Sequence, residues 1–259
     1  MRFFDIAKPS LDSTRQMFIE LESDERASKI DLGIGIYRDE NGLAPVFKSV
    51  KTAEKLLFEI ETSKSYKTPA GNSKYCKNIL DLVLGKAIID ERGDKIGSIQ
   101  IPGAGSGLRI AGELIKNNLQ NKLISIPNPT WGQQPFMFKK SGLKVINYNY
   151  YNQENNFLDF DNMIYDLKKL KSGDSILLHG CCHNPTGADL TVDQWEQVAN
   201  ICLKQGILPF IDLVYQGLGI GVEEDVLGIR KLVQIVPEVI ITVSSSKTFG
   251  VYRDRCGLI

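Results

Sequence analysis

The chain has 259 residues, enough to bury one large core or two modest ones. Its 31 lysines and arginines balance 31 aspartates and glutamates, so no overall field draws it to nucleic acid or to an anionic membrane, and any anion it binds must be held locally. No apolar run approaches a membrane span, the N-terminus lacks the apolar core of a signal peptide, and five cysteines without framework spacing fit reduced thiols, so a cytoplasmic protein is expected.

In chain order, residues 10–25 hold Leu11, Phe18 and Leu21 among charges, a short amphipathic helix started by Ser10 or Asp12 that reads as an N-terminal arm. Asp31 to Tyr37 is an extended apolar segment. Its Gly33 and Gly35 let backbone approach another group closely, or else mark a bulged edge strand. From Pro45, the residues Val46, Val50, Ala53, Leu57 and Ile60 fall on one helical face. A second helix runs from about Ser73 to Leu84, closed by Gly85.

From residue 96 short apolar runs alternate with helical stretches. The expected strands are Ile96–Ile101, Leu123–Ile126, Lys144–Tyr150, Ser175–His179, Leu208–Asp212 and Val239–Ser244. Helices fit between them at Leu108–Asn118, Trp131–Ser141, Phe160–Leu170, Thr191–Gln205 and Glu223–Ile235, with a capping box at Thr191 and Gln194. Such alternation predicts an α/β fold: a largely parallel sheet covered by helices on both faces. Ligands of such sheets bind off the carboxyl ends of the strands, so chemistry is sought just after each run.

After the first strand, Gly103, Ala104, Gly105 and Gly107 open a helix, where exposed N–H groups and the helix dipole favour an anion such as phosphate; the alternative is a tight turn without ligand. The second strand ends in Pro127 to Trp131 instead of the acidic residue a dinucleotide fold requires, and the indole of Trp131 could lie against a planar ring or simply pack. His179, Cys181, Cys182 and His183 are too crowded for usual zinc-ligand spacing, and no metal is expected. Asn184, held extended before Pro185, presents its amide from a rigid turn. Asp212 ends the fifth strand among apolar residues, where a carboxylate needs a cationic partner or caps the following turn; Tyr215 follows it. Lys247 stands at the exit of the sixth strand behind three serines. It is either a surface lysine or an amine that loses its proton readily and holds a carbonyl as a Schiff base. One cofactor uses an anion cradle, a flat aromatic, an amide, a carboxylate, a phenol and a lysine together: pyridoxal phosphate.

The stretches Ser244 to Arg255, Cys181 to Gly187, Asp212 to Gly217 and Asp31 to Glu40 closely resemble the class I aspartate and aromatic amino acid aminotransferases, fold-type I pyridoxal phosphate enzymes. The resemblance implies a large cofactor-binding domain over 45–259, with 1–44 forming the arm and part of a smaller domain. It makes Lys247 the Schiff-base lysine and proton carrier, pairs Asp212 with the pyridinium, sets Tyr215 and Asn184 on the phenolic oxygen, and stacks Trp131 on the ring. Ser244 and Arg255 join the backbone of Gly103, Ala104 and Gly105 at the phosphate. Trp131, Asn184 and the backbone of Gly35 meet substrate, and Tyr66 reaches the phosphate of a neighbouring subunit, which implies a homodimer.

Three departures accompany the resemblance. Gly105 stands where a threonine is usual and Ser106 where glycine is, so the hydroxyl is displaced by one residue. Gln134 replaces a histidine beside the pyridinium-pairing aspartate. Family members also continue past Ile259 with a further strand, the rest of the small domain and the arginines that clamp substrate carboxylates, so a fragment is expected, with an open sheet edge and uncovered apolar surface if 259 residues are the whole. The expected reaction is transfer of the amino group of L-aspartate to 2-oxoglutarate; aromatic amino acids are the alternative within the family. A nucleotide-binding oxidoreductase and a non-catalytic remnant are the alternatives outside it.

Overall fold

All six apolar runs read from the sequence contribute strands, and a seventh strand, unforeseen, enters the same sheet. The computed structural model describes residues 13–26, 28–30, 33 and 35–259; the expected helix-starting residues Ser10 and Asp12, together with Leu11, Asp31, Leu32 and Ile34, lie outside them. The chain divides into two units, Met1–Pro45 and Val46–Ile259. In the first, α1 spans Ser13–Ser23, and the described residues from Gly35 to Arg38 form no strand.

The second unit opens with α2 (Lys48–Ile60), the helix expected after Pro45, but none of its side chains is buried. α3 (Ser73–Arg92) starts on the Asn72 side chain, which accepts from the N–H of Lys74 and Tyr75. Gly85 interrupts it as expected, with φ 74° and ψ 156°, yet the chain re-enters the helix and continues to Arg92. The first expected strand shrinks to β1 (Gln100–Ile101), because only there and at Ile99 does a ladder partner reach it. α4 (Ala104–Asn118) begins four residues earlier than expected, so the glycine turn is itself the first helical turn. Gly107 makes this close approach feasible: a Cβ there would sit 2.6 Å from Thr242 Cγ2 and 2.7 Å from Ile101 Cδ1.

β2 (Leu123–Asn128), α5 (Gln133–Lys140) and β3 (Lys144–Asn149) follow, then a small hairpin of β4 (Tyr151–Asn152) and β5 (Phe157–Leu158). α6 (Phe160–Leu167), β6 (Ser175–His179) and α7 (Val192–Gln205) lie close to the expected bounds, and Thr191 and Gln194 make the capping box. β7 (Leu208–Leu213), α8 (Leu227–Ile235) and β8 (Ile240–Ser244) lead to a single turn, α9 (Ser245–Thr248), and to β9 (Gly257–Leu258).

The sheet order is β1-β9-β8-β7-β6-β2-β3. β8, β7, β6, β2 and β3 run parallel, and β9 lies antiparallel between β8 and β1, which makes a mixed, mostly parallel sheet. Alternate residues of the central strands enter opposite cores. Ile176, Leu178, Ile211 and Leu213 pack with side chains of α3, α6, α7 and α8, whereas Leu177 and Phe210 pack with Leu108 and Ile115 of α4 and Phe138 of α5. Burial of a side chain of this size contributes roughly 1.5–3 kcal/mol, so two covered faces explain strands that are apolar throughout. The register puts His179, Asp212 and Thr242 side by side at the carboxyl ends of β6, β7 and β8.

Gly228 of α8 lies so close to α7 that a Cβ would sit 2.0 Å from Trp195 Cδ1, on a ring that cannot bend away. Gly228→Ala is expected to lower the unfolding free energy by about 1–3 kcal/mol in urea titration. Gly132→Ala, at helical φ and ψ with nothing within 4 Å of the added carbon, serves as the control and should leave stability unchanged or slightly raised.

Candidate active site

A charge at a strand end can be buried only if neighbouring strands and helices offer it polar groups, and the β6–β7–β8 row does this for Asp212. The residue is only 6% exposed. Gln134 Nε2, from the first turn of α5, donates to Oδ2 at 2.8 Å, and Thr242 Oγ1 of β8 lies 3.4 Å from Oδ1. Burial pushes the carboxyl up from 3.8 to about 6, against the pull of Gln134, Thr242 and the Lys247 ammonium.

Lys247 follows β8 on α9 and is half-buried, with its Nζ 5.7 Å from the centroid of the Tyr215 ring. Burial holds its pKa below the usual lysine value; the nearby Arg255 adds to the depression and Asp212 opposes it. Asn184 Nδ2 reaches Tyr215 Oη at 3.5 Å, a long contact, and burial together with the Asp212 charge raises the phenol. Lys247, Asp212, Tyr215 and Asn184, which the sequence singled out separately, therefore occupy one neighbourhood.

The anion cradle forms beside them. Gly103 caps α4 with φ 83°, and the N–H groups of Ala104 and Gly105, in the first turn, have no carbonyl four residues back within the helix. The Arg255 guanidinium lies over this turn: a Cβ on Gly103 would meet Nη2 at 2.7 Å. Arg255 Nη1 also donates to Ser246 Oγ at 3.2 Å and to the carbonyl of Tyr252 at 3.0 Å. Ser244 is buried and its hydroxyl accepts from Ser246 N, which leaves its own proton to give. The displaced hydroxyl expected at Ser106 is engaged otherwise: Ser106 Oγ donates to the Gly103 carbonyl at 2.7 Å, so its proton closes the turn instead of facing an anion.

Trp131 precedes α5 and is 37% exposed, with its carbonyl accepting from Gln134 N at 3.0 Å. Tyr66 stands fully exposed after α2, away from this cluster's hydrogen bonds. Gly35 belongs to the N-terminal unit and has open space where a Cβ would point. Sequence reasoning missed Tyr75, whose hydroxyl pairs with Ser245 Oγ at 2.7 Å across 170 positions, and assigned no role to Ser246 or Thr242. No local signal marks such partners.

An apolar cavity of about 680 Å³ is lined by Ile96, Ile99, Leu114, Ile240 and Ile259, near the start of β8. It holds no cluster of reactive groups, whereas Lys247 follows the other end of that strand. Chemistry, not volume, locates the site.

A buried carboxylate suited to a ring N–H, a partly desolvated amine, a phenol and amide pair, and a guanidinium above a helix N-terminus together fit pyridoxal phosphate, and Gly103 leaves room for the guanidinium that a side chain would fill. These features make a candidate phosphopyridoxal site on an α/β sheet. The profile of the aminotransferase class I and II family matches residues 27–259, and the chain belongs to that family. It is 40% identical to an aromatic-amino-acid aminotransferase of Pseudomonas aeruginosa over 99% of its own length and 64% of the relative's. It is 41% identical to the aspartate aminotransferase of Escherichia coli over 91% of this chain and 59% of the relative. A crystal structure of an aromatic-amino-acid aminotransferase from Burkholderia pseudomallei, covalently bound to pyridoxal phosphate, superposes with a TM-score of 0.93 at 30% identity, over 100% of this chain and 65% of that one. The chain thus spans about three-fifths to two-thirds of the length of these relatives.

The raised Asp212 pKa fixes the sign of a stability effect. A carboxyl that binds its proton more tightly when folded stabilises the cofactor-free protein fully below 3.8, and this contribution is lost as pH rises through about 6. Asp212→Asn removes the cost of ionisation. In urea unfolding the cofactor-free variant should match wild type near pH 4 and exceed it by about 3 kcal/mol at pH 8. Pyridoxal phosphate should then raise the melting temperature of wild type by more than that of the variant.

Proposed function

We propose that the protein is a pyridoxal-phosphate-dependent aminotransferase, moving the amino group of an amino acid to a 2-oxo acid in two half-reactions. The observation that carries this reading is the convergence of Asp212 and Lys247 on one site beside the Arg255–Gly103 cradle. When bound, pyridoxal phosphate supplies an aldehyde that condenses with amines and a ring that, protonated, withdraws electrons from the substrate α-carbon.

The chain's own groups do the rest. Arg255, the first N–H groups of α4 and the Ser244 hydroxyl bind the phosphate, the paired oxygens matching the guanidinium fork. Asp212 accepts the ring N–H, and the opposite charge returns the carboxyl to its ionised form. Tyr215 and Asn184 orient the ring through its phenolic oxygen, and Trp131 covers a ring face. Lys247, with its ammonium disfavoured by burial and by Arg255, gives up its proton more readily than a free lysine; as the amine it meets the carbonyl and then accepts the proton leaving the substrate α-carbon.

L-Aspartate and 2-oxoglutarate are the proposed donor and acceptor. Aromatic amino acids are the second reading, supported by relatives of both names at nearly equal identity. The enzyme is proposed to act in the cytoplasm, a location supported by five free cysteines, three of them buried, and no helix among the described residues is long and apolar enough to cross a membrane. It is further proposed to work as a homodimer. α2 carries Leu56, Leu57, Phe58 and Ile60 in solvent, Phe58 at 89% exposure, and fully exposed Tyr66 follows it. A stripe of this kind calls for a second subunit, and Tyr66 then has a neighbour's phosphate to reach.

Adding pyridoxal phosphate is expected to produce a near-visible absorbance band that borohydride removes. Lys247→Ala should abolish the band and all transamination, and a band that persists in the variant overturns the assignment. In sedimentation the wild type is expected to behave as a dimer, and Phe58→Asp should weaken association at least about tenfold.

A further inference from the structure

His179 ends β6 beside Asp212 in the ladder, and the polar groups around its ring admit a single arrangement of protons. The backbone N–H of Asn184 can only donate, and it points at His179 Nδ1 at 3.2 Å, so Nδ1 carries the lone pair. Burial lowers the ring's pKa from 6.5 to about 4, which makes it neutral, and its one proton therefore sits on Nε2. That nitrogen lies 3.1 Å from Gln134 Oε1 and donates to it; the Thr130 hydroxyl donates to the same oxygen. With both donors on Oε1, the amide nitrogen of Gln134 is left to face Asp212 Oδ2 at 2.8 Å. The reversed amide would set two acceptors against each other at Asp212 and two donors against each other at His179. The ring itself is clamped by stacking on His183 at 4.5 Å, which in turn stacks on Tyr150 at 3.9 Å.

We infer that His179 is a positioning residue: through its Nε2–H it locks the Gln134 amide with the N–H end toward Asp212, and through Nδ1 it ties that orientation to the Asn184 turn. The inference rests on the pyridoxal phosphate reading and deepens it. Gln134 stands behind the carboxylate assigned to the ring nitrogen and Asn184 at the group assigned to the phenolic oxygen, and His179 links their placement. An amide at position 134 has a donor end and an acceptor end that a flip exchanges, so it needs such a lock.

The chain contains only two histidines, so ¹⁵N-histidine labelling reads the tautomer directly on the unaltered protein. Nitrogen shifts placing the His179 proton on Nε2 agree with the lock, and a proton on Nδ1 overturns it. The dissociation constant for pyridoxal phosphate, followed by its absorbance, supplies the second readout. Gln134→Leu is expected to raise it about tenfold and His179→Phe by about three- to tenfold, while His179→Phe in the Gln134→Leu background changes it less than twofold. Multiplying effects in the double variant, or no effect of His179→Phe in a protein with an unchanged melting profile, overturn the inference. If wild type shows no absorbance change with pyridoxal phosphate, the functional reading fails, and the labelled-histidine spectrum still decides the tautomer lock independently.

Discussion

A carboxylate sunk at the end of a core strand is costly to ionise, and the arrangement around Asp212 follows from that cost. Gln134 and Thr242 offer it hydrogen bonds, and Lys247 offers distant positive charge, yet the carboxyl still stands well above its solution value. Neutral donors reduce the penalty without removing it, because only an adjacent positive charge favours the ionised form strongly in a medium of low polarity. Asp212 is therefore placed to gain from an adjacent cationic N–H. A protonated pyridine is such a group, and the same charge that relieves Asp212 gives that ring its electron-withdrawing power.

The sheet explains why these groups meet. Parallel strands deliver their carboxyl ends to one edge, and the register of β6, β7 and β8 aligns His179, Asp212 and Thr242 in a row. Lys247 follows β8 by a few residues, and α4 returns its N-terminus to the same edge because Gly107 lets it close on Thr242 and Ile101. β9 brings Arg255 back over Gly103 by running antiparallel beside β8. The dipole at the head of α4 and the guanidinium then act on the same volume, one from a helix and one from the segment preceding a strand.

Much of this was legible in the sequence where the determinants are local. The strand runs, the Thr191–Gln194 capping box, the break at Gly85 and the placing of Asp212 and Lys247 at strand exits all follow from patterns a few residues long. Missing were features fixed by distant partners: the return strand β9, the Tyr75–Ser245 pair, and the continuation of α3 past Gly85, stabilised as Ile88 enters the core. The His179–His183 cluster invited a metal comparison because sequence spacing cannot show that the rings stack on one another and turn their nitrogens to Gln134, Asn184 and Thr186. Likewise α2 reads as an amphipathic helix from its own residues, but nothing local reveals that its apolar stripe stays uncovered within the chain.

The account stands on the ionic pairing of Asp212 with the ring nitrogen of pyridoxal phosphate. The most direct test is the ¹⁵N chemical shift of that nitrogen in protein loaded with ¹⁵N-labelled cofactor, followed from pH 6 to 9. The pairing predicts a protonated nitrogen across the whole range, losing its proton in Asp212→Asn. An unprotonated nitrogen in wild type at neutral pH, or a shift unchanged by the substitution, would contradict it.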